Sequence, residues 1–476
     1  MNNLLHKILS VRKNNFFAHS KNYLLAEIFN KGLVFFTIPI FTRLLSPEEY
    51  GILAIFTSII AIFTVVMGLN FQASIVVKYS NHDKDFSEFL GANLIYLFLN
   101  NIILISACSI FVSPLASFFS ISNDIFIIAV IISSFVFFLQ VELAYLQASQ
   151  QSKKYANISV VRNLLITLLA LVWTYLLKNN KYYGNVYSQL LVFGIIFIFV
   201  VFSLIKVARF CFELKHLKYA LLFSIPLIPH TLAGIVLSQV DRLMINHFLG
   251  SSQVGLYFLA FNVGLLVAVF IGALNNAWIP IFFDALKNGY YDKIQNLAEK
   301  YSKIVFIAAF CLILFSKEII IIMADKQYSD SYKIVPLFAL SGVATFLYTL
   351  FVNYAFYKRR TGLISIISLV SCLINIILNY ILIPRYGYAG AAWANLFSHI
   401  LLFILHYSNV RFILKLKVIR LDKIIVDIVV LFICIGVYAI FRFDALFFDF
   451  LLKMLLVLVI SIFYLKDDLL TPRTES

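Results

Sequence analysis

Charged side chains inside long apolar stretches are the residues of this sequence with the clearest capacity for chemistry. A charge at the centre of a membrane helix costs about 2.5–3.5 kcal/mol on insertion scales, so such residues are functional candidates by default. Glu27 and Lys31 stand four positions apart in the first stretch, where a helix places them on one face and lets them pair. Lys31 either binds an anion under the control of its carboxylate partner Glu27, or forms a purely structural ion pair with it.

Four further ionisable residues lie in or beside later apolar stretches. Glu142 can hold a proton or a sodium ion, or can be solvated near the end of its stretch. Arg162 can attract an anion or can anchor its helix at the inner surface. Asp241 and Arg242 are adjacent, and on a helix they point about 100° apart. Arg242 can bind phosphate bidentately or anchor at the outer interface, and Asp241 can orient it or bind a coupling cation.

The composition indicates that lipid surrounds the elements carrying these residues. Hydrophobic types make up 62% of the 476 residues, charged types make up 13%, and the mean hydropathy is +0.94. Soluble domains have about 45–50% apolar and about 25% charged residues. A water-soluble fold could not bury this much apolar surface and still cover itself with polar groups. We therefore predict an integral membrane protein without a sizeable soluble domain.

Apolar stretches long enough to cross a membrane recur along the whole chain. A bilayer core of about 30 Å needs roughly 20 apolar residues per helix. The sequence predicts about fourteen transmembrane helices and an all-α polytopic fold. The predicted spans are 22–42, 50–77, 89–113, 124–147, 158–177, 183–205, 219–247, 253–283, 303–323, 333–357, 361–383, 387–410, 424–441 and 446–465.

The net charge of +15 is explained by orientation in the membrane rather than by nucleic-acid binding. Lys and Arg residues concentrate in alternate gaps between the spans, at a ratio of about three to one. Basic loops favour the cytoplasmic side, so both termini are predicted to be cytoplasmic. The basic start of the chain lacks the pattern of a signal peptide and is predicted to be an uncleaved cytoplasmic lead.

The sequence also repeats itself at a spacing of about 205 residues. Three pairs of segments match in order: 45–52 with 249–256, 153–155 with 359–361, and 183–190 with 389–396. The repeat unit is six helices, so both copies enter the membrane in the same orientation and are related by a pseudo-twofold axis along its normal. We predict lobes at 1–212 and 213–418, followed by two extra helices in 419–476. The alternative is chance similarity between turn residues.

Three parts of the chain carry a family resemblance. They are NIILNYILIPRYGYAGAA at 375–392, the segments 226–229, 241–245 and 255–257, and RLLSPEEYG at 43–51. Together they resemble polysaccharide flippases of the Wzx type, within the multidrug/oligosaccharidyl-lipid/polysaccharide exporter superfamily, over essentially the whole chain. Pro226 and Pro229 should bend their helix, Pro384 should end another, and Gly387 should supply a permissive backbone position after it.

The resemblance implies both a fold and a function. The fold is two six-helix bundles in a V, as in MATE transporters, plus two C-terminal helices. Members of the family move undecaprenyl-diphosphate-linked oligosaccharide repeat units to the periplasmic leaflet of the bacterial inner membrane, for O-antigen, capsule or exopolysaccharide synthesis. The implied partners are membrane lipids, a polysaccharide polymerase and a chain-length regulator. Substrate contacts are then expected from Lys31, Arg242, Arg162 and Glu27.

No cofactor is expected, and coupling to Na⁺ or H⁺ would use Asp241 or Glu142. The alternatives are a lipid II flippase, a multidrug antiporter of the same superfamily, or a membrane polysaccharide polymerase. A polymerase would need a long outer loop, and the gaps between predicted spans leave no room for one. The sequence has no Walker lysine motif, which argues against direct use of ATP. The scattered cysteines lack CxxC spacing, which argues against a disulfide framework or a metal site.

Overall fold

The computed structural model describes residues 2–81, 83–417, 419–441 and 446–470, and it describes side chains within these ranges except at 2–20, 361, 446 and 465–470. The first ten helices are α1 (Asn2–Leu44), α2 (Pro47–Gly68), α3 (Gln72–Ser80), α4 (Phe86–Ile110), α5 (Val112–Phe118), α6 (Asn123–Ala148), α7 (Ser152–Leu176), α8 (Tyr183–Val207), α9 (Leu214–Ser224) and α10 (Ile228–Leu249). The others are α11 (Ser251–Asn288), α12 (Tyr291–Leu314), α13 (Ser316–Met323), α14 (Val335–Tyr357), α15 (Thr361–Tyr386), α16 (Tyr388–Ser408), α17 (Asp422–Phe441) and α18 (Leu446–Leu470).

The predicted all-α polytopic fold is confirmed. In the described part of the chain, 13 helices are long and apolar enough to cross a membrane. The number rises to 14 if α12 and α13, which are bent by 66° at their junction, form one broken span. One span, Leu214–Leu249, contains both α9 and α10. A 3₁₀ turn at Ile225–Leu227 interrupts it where the two prolines were expected to act, since a proline removes a helical hydrogen bond.

Contacts divide the chain into two compact units, Met1–Gly255 and Leu256–Ser476. In the first unit α2 packs on α6 and α10, and α7 packs on α1 and α8. In the second unit α14 packs on α12 and α16, and α12 also contacts α17 and α18. The lobe boundaries predicted from the sequence repeat stay a prediction.

The second and fourth spans of the predicted six-helix repeat are buried to a similar extent in both copies. The second and fourth spans of the first predicted lobe, α2 and α6, are largely buried, and so are their repeat equivalents, α11 and α14. The fifth and sixth spans, α7 and α8, bury few of their residues and carry exposed apolar side chains such as Phe199. Exposed apolar faces of this extent are stable against lipid.

A matched pair of glycines supports the repeat locally. Gly184 and Gly390 lie 206 residues apart, near the starts of α8 and α16. A Cβ on Gly184 would overlap the backbone of Thr174 at the end of α7, and a Cβ on Gly390 would overlap the backbone of Leu382 near the end of α15. Each glycine therefore lets a helix start against the end of the preceding helix.

The start of α2 is fixed by a capping box. The Ser46 hydroxyl accepts a hydrogen bond from the backbone N–H of Glu49 at 3.2 Å, and Glu49 Oε2 accepts one from the N–H of Ser46 at 3.1 Å. Glu49 Oε1 accepts a further hydrogen bond from the N–H of Lys181 at 2.7 Å. One carboxylate therefore joins the start of α2 to the turn between α7 and α8.

The turn after α15 differs in one respect from the prediction. Pro384 does not end the helix, because the N–H of Gly387 still bonds to the Ile383 carbonyl at 2.9 Å and α15 runs to Tyr386. Pro384 lacks the N–H that would continue the hydrogen-bond ladder, but the helix extends for two residues beyond it. Gly387 follows with φ 64°, as expected of the residue that changes the chain direction.

Candidate functional site

Arg162 is a cation on α7, one of the helices of the first unit that is long and apolar enough to cross a membrane. It lies about 15 Å along α7 from Ser152, counting 1.5 Å per residue. Its Nε donates to the side-chain oxygen of Asn163 at 3.0 Å, and its guanidinium carbon is 5.8 Å from the ring centroid of Phe193 on α8. Within the described ranges Arg162 forms no ion pair with a carboxylate. Its two Nη groups are therefore available to an anion.

Glu142 is enclosed within the first unit rather than solvated. The residue is 4% exposed, and its Oε1 accepts a hydrogen bond from the Ser203 hydroxyl of α8 at 2.8 Å. Its Oε2 is buried and has no hydrogen-bond partner among the described residues. A buried carboxylate oxygen without a donor needs a proton or a cation to offset its desolvation. This arrangement is compatible with binding of H⁺ or Na⁺.

Asp241 and Arg242 are both buried on α10. Arg242 Nη1 donates to Gln239 Oε1 at 2.6 Å, and the same oxygen accepts a hydrogen bond from the Ser58 hydroxyl of α2 at 3.0 Å. Gln239 therefore bridges α10 and α2 and holds the Arg242 guanidinium toward that interface. The structure places Arg242 inside the first unit, not at its surface.

Glu27 and Lys31 form the ion pair expected from their spacing, with Nζ 2.8 Å from Oε1. Both side chains remain about half exposed on α1. Exposed pairs of this kind contribute little to stability, with typical values of about 0–1 kcal/mol in water. The pair leaves Lys31 accessible to an anionic ligand that displaces or joins the carboxylate.

One charged cluster was missed by sequence reasoning. Lys453 on α18 is 1% exposed, and its Nζ lies 2.5 Å from Glu318 Oε1 of α13 and 2.9 Å from Asp449 Oδ2. The same ammonium lies 5.3 Å from the Tyr438 ring centroid of α17. The cluster therefore joins both C-terminal helices to α13. Only the Asp449–Lys453 spacing of four residues signals it in the sequence.

The family model described as polysaccharide biosynthesis protein matches residues 20–286, which is more than half of the chain. The chain belongs to the polysaccharide biosynthesis protein family. This membership confirms the resemblance to polysaccharide flippases stated above.

Two curated relatives match this polysaccharide biosynthesis protein over most of its length. The Lsg locus putative protein 1 of Haemophilus influenzae is 26% identical over 372 residues, which covers 76% of this chain and 89% of the relative. The probable low-salt glycan biosynthesis flippase Agl15 of Haloferax volcanii is 20% identical over 403 residues, which covers 83% of each chain.

The fold of this chain is shared with solved structures of membrane proteins. The lipid II flippase MurJ in an inward closed conformation matches with a TM-score of 0.74 at 18% identity, covering 94% of this chain and 99% of that one. An inward-facing multidrug resistance MATE transporter of the MOP superfamily matches with a TM-score of 0.62 at 15% identity, covering 81% and 96%. At these identities the likeness concerns the fold, and it confirms the MATE-like fold class.

Proposed function

We propose that this protein flips an undecaprenyl-diphosphate-linked oligosaccharide repeat unit from the cytoplasmic to the periplasmic leaflet of a bacterial inner membrane. Membership of the polysaccharide biosynthesis family, kinship with a probable glycan flippase and a fold shared with flippases and exporters support this proposal. Both termini lie in the cytoplasm, and transport proceeds by alternating access of two lobes. A polymerase with its chain-length regulator then consumes the flipped unit.

Arg162 is the observation that carries the substrate proposal. A diphosphate must take negative charge into the apolar layer, where a charge without a partner is costly. A guanidinium offers parallel N–H donors that match phosphate oxygens, and those of Arg162 are not committed to a protein carboxylate in the described part of the chain. Arg162 is thus the primary phosphate contact, and Lys31, with its partner Glu27, and Arg242 are further contacts along the route.

Transport in this proposal is driven by an ion gradient or by the substrate gradient. Glu142 provides the ion site, because its free Oε2 is buried and requires a proton or a cation. Asp241, buried on α10, is the second candidate for the same role.

The decisive experiment combines gene deletion with complementation by Arg162 variants. Deletion should abolish the surface polysaccharide and trap lipid-linked repeat units in the cytoplasmic leaflet. Arg162→Gln should leave the protein level unchanged and restore less than a tenth of wild-type export, whereas Arg162→Lys should restore part of it because the charge is kept. Arg411→Gln is the matched control, since Arg411 is exposed in the π-helical turn that follows α16, and it should restore export fully.

Other outcomes would select against this function. A deletion that stops peptidoglycan synthesis would assign the protein to lipid II. A deletion that only sensitises cells to toxic cations would assign it to multidrug export. Normal export by Arg162→Gln would remove the phosphate contact from the proposal. Parallel variants Lys31→Ala and Arg242→Ala should each reduce export, and normal export in both would exclude them as contacts.

A further inference from the structure

Three metal-type ligands meet where the chain passes from α8 to α9. They are the Cys211 thiol, the Glu213 carboxylate and the His216 imidazole, whose ligand atoms all lie within 4.8 Å of one another. The non-helical segment between α8 and α9 supplies the first two, and the first turn of α9 supplies the third. The spacing C-x-E-x-x-H is short enough for the three groups to close around one ion.

His216 is the residue that points to a ligand. It is 2% exposed, and its Nε2 is buried without a hydrogen-bond partner among the described residues. That nitrogen lies 3.9 Å from Glu213 Oε2, and one nitrogen of the ring lies within 4.8 Å of the Cys211 sulfur. Buried imidazole nitrogens are normally hydrogen-bonded, so an unpartnered one close to a carboxylate, on a ring that also lies close to a thiol, requires an explanation.

The other side of the same ring has the partner that a metal-binding histidine needs. His216 Nδ1 lies 3.8 Å from Asp85 Oδ2, at the turn before α4. Metal-bound histidines usually donate their second nitrogen to a carboxylate, which fixes the tautomer and the ring orientation. Asp85 is itself held by Lys78, whose Nζ lies 2.9 Å from Oδ1. The orienting carboxylate is therefore already fixed in place.

The distances fit a small divalent cation after modest side-chain movement. Tetrahedral zinc with bonds of about 2.0–2.3 Å brings its ligand atoms to about 3.3–3.8 Å from one another. The separation of His216 Nε2 from Glu213 Oε2 is close to this range. Two contacts must be given up: Glu213 pairs with Lys215, and the Cys211 thiol lies 3.5 Å from the carbonyl oxygen of Glu88. The Glu213–Lys215 pair is exposed and the thiol contact is weak, so a metal–ligand bond is stronger than either.

We propose that Cys211, Glu213 and His216 bind a zinc-class divalent cation, with water as the fourth ligand and Asp85 as the orienting carboxylate. The mixture of thiolate, imidazole and carboxylate suits Zn²⁺ and excludes Mg²⁺ and Ca²⁺, which prefer oxygen ligands. The site lies on the predicted cytoplasmic side, where the thiol stays reduced. Through the His216 ring, whose Nδ1 lies 3.8 Å from Asp85 Oδ2, the bound ion connects the start of the seventh span to the turn before α4.

This segment is already packed closely on α4. The N–H of Arg209 donates to the Ser87 carbonyl at 2.8 Å, and a Cβ on Gly91 would overlap the carbonyl of Arg209. The cation adds a side-chain link next to this backbone link. Its effect is to restrict movement of α9 relative to α4, and therefore movement within the first unit.

Cobalt titration of the full-length protein in detergent micelles tests the site. Co²⁺ should produce a thiolate-to-metal charge-transfer band that saturates at one ion per chain and disappears when Zn²⁺ is added. Cys211→Ser and His216→Asn should abolish the band, and Asp85→Asn should weaken Co²⁺ binding about 10–100-fold. Cys372→Ser is the matched control, because Cys372 is a buried thiol on α15, and it should leave the band unchanged.

A second readout separates binding from misfolding. Zn²⁺ should raise the thermal unfolding temperature of the wild-type protein and of Cys372→Ser, and should leave that of Cys211→Ser unchanged. Absence of a charge-transfer band in the wild-type protein would overturn the proposal, and so would a band that survives in Cys211→Ser. Neither result bears on substrate flipping, because the Arg162 experiment reads export and this one reads metal.

Discussion

Gly51 and Gly255 make reciprocal close contacts between the two copies of one repeated segment. A Cβ on Gly51 would overlap the carbonyl oxygen of Ser251, and a Cβ on Gly255 would overlap the carbonyl oxygen of Pro47. Gly51 and Gly255 are 204 residues apart in the repeat, and Pro47 and Ser251 are equivalent in the same way. The two contacts are reciprocal, because each glycine meets the carbonyl of the residue four positions before the other glycine. The two matched segments of the sequence repeat therefore contact one another at equivalent positions.

Alanine at either glycine should destabilise the protein by a similar amount. Gly51→Ala and Gly255→Ala each push α2 and α11 apart, and overpacking of this kind costs about 1–3 kcal/mol. Thermal unfolding in detergent measures the effect. Gly234→Ala on α10 is the control, because a Cβ there meets nothing within 4 Å and alanine favours the helix. Unchanged melting in both test variants would show that the close contact is not maintained in solution.

Removing the charge of Lys453 should be severely destabilising. Lys453→Met leaves Glu318 and Asp449 without their cation, and breaking a buried ion pair costs about 3–5 kcal/mol. Denaturant or thermal unfolding should show this loss, together with faster proteolysis at α17 and α18. The triple variant that also carries Glu318→Gln and Asp449→Asn should recover much of the stability. If Lys453→Met melts like Lys31→Met, which breaks only an exposed pair, the cluster does not fasten the C-terminal helices.

Glu142→Gln should make the transport rate insensitive to the ion gradient. The amide keeps the hydrogen bond from Ser203 but cannot take up a proton or offer a charged oxygen to sodium. In proteoliposomes the wild type should respond to an imposed H⁺ or Na⁺ gradient, and Glu142→Gln should lose that response and most of its rate. Ser203→Ala, which keeps the carboxylate, should retain the response. An undiminished gradient response in Glu142→Gln would assign coupling elsewhere, with Asp241 as the next residue to test.

Ionised Asp85 should stabilise the folded protein, and this contribution to the free energy of unfolding should be lost at acid pH. The hydrogen bond from the Lys78 ammonium lowers the pKa of Asp85 below its ordinary value of 3.8. A lowered folded-state pKa contributes stability above that value, and the contribution is lost as pH falls through the folded pKa. Asp85→Asn should therefore melt below the wild type at neutral pH, and the difference should vanish well below pH 3.8. The exposed Asp292→Asn serves as control; a pH-independent difference at Asp85 would exclude the ionic explanation.

The features predictable from the sequence are those encoded by local patterns. Hydropathy gave the spans, the four-residue spacing gave the Glu27–Lys31 pair, and two prolines gave the interruption at Ile225–Leu227. Contacts between distant segments have no such pattern. Lys453 meets Glu318 only because α18 packs beside α13, 135 residues away in the chain.

The candidate sites also combine residues that local sequence patterns indicate with contacts between distant segments that they do not. The sequence marks Arg162 as a charge in an apolar run, but its lack of a carboxylate partner depends on what surrounds α7 in the described structure. The three ligands at Cys211, Glu213 and His216 are close in sequence, yet Asp85, which orients the imidazole, comes from the turn before α4. The surroundings of Arg162 and the position of Asp85 both depend on how the helices pack, and the spacing of hydrophobic residues does not encode that packing.

Glu49 makes the lengths of two loops interdependent. One oxygen of its carboxylate accepts a hydrogen bond in the cap of α2, and the other accepts one from the backbone of Lys181. An insertion in either turn would therefore disturb both hydrogen bonds. Natural variants that lengthen one turn should carry a compensating change in the other. For the same reason an epitope placed at Lys181 to map membrane topology would disturb the start of α2. The exposed turn around Gly289 is a better place for a reporter.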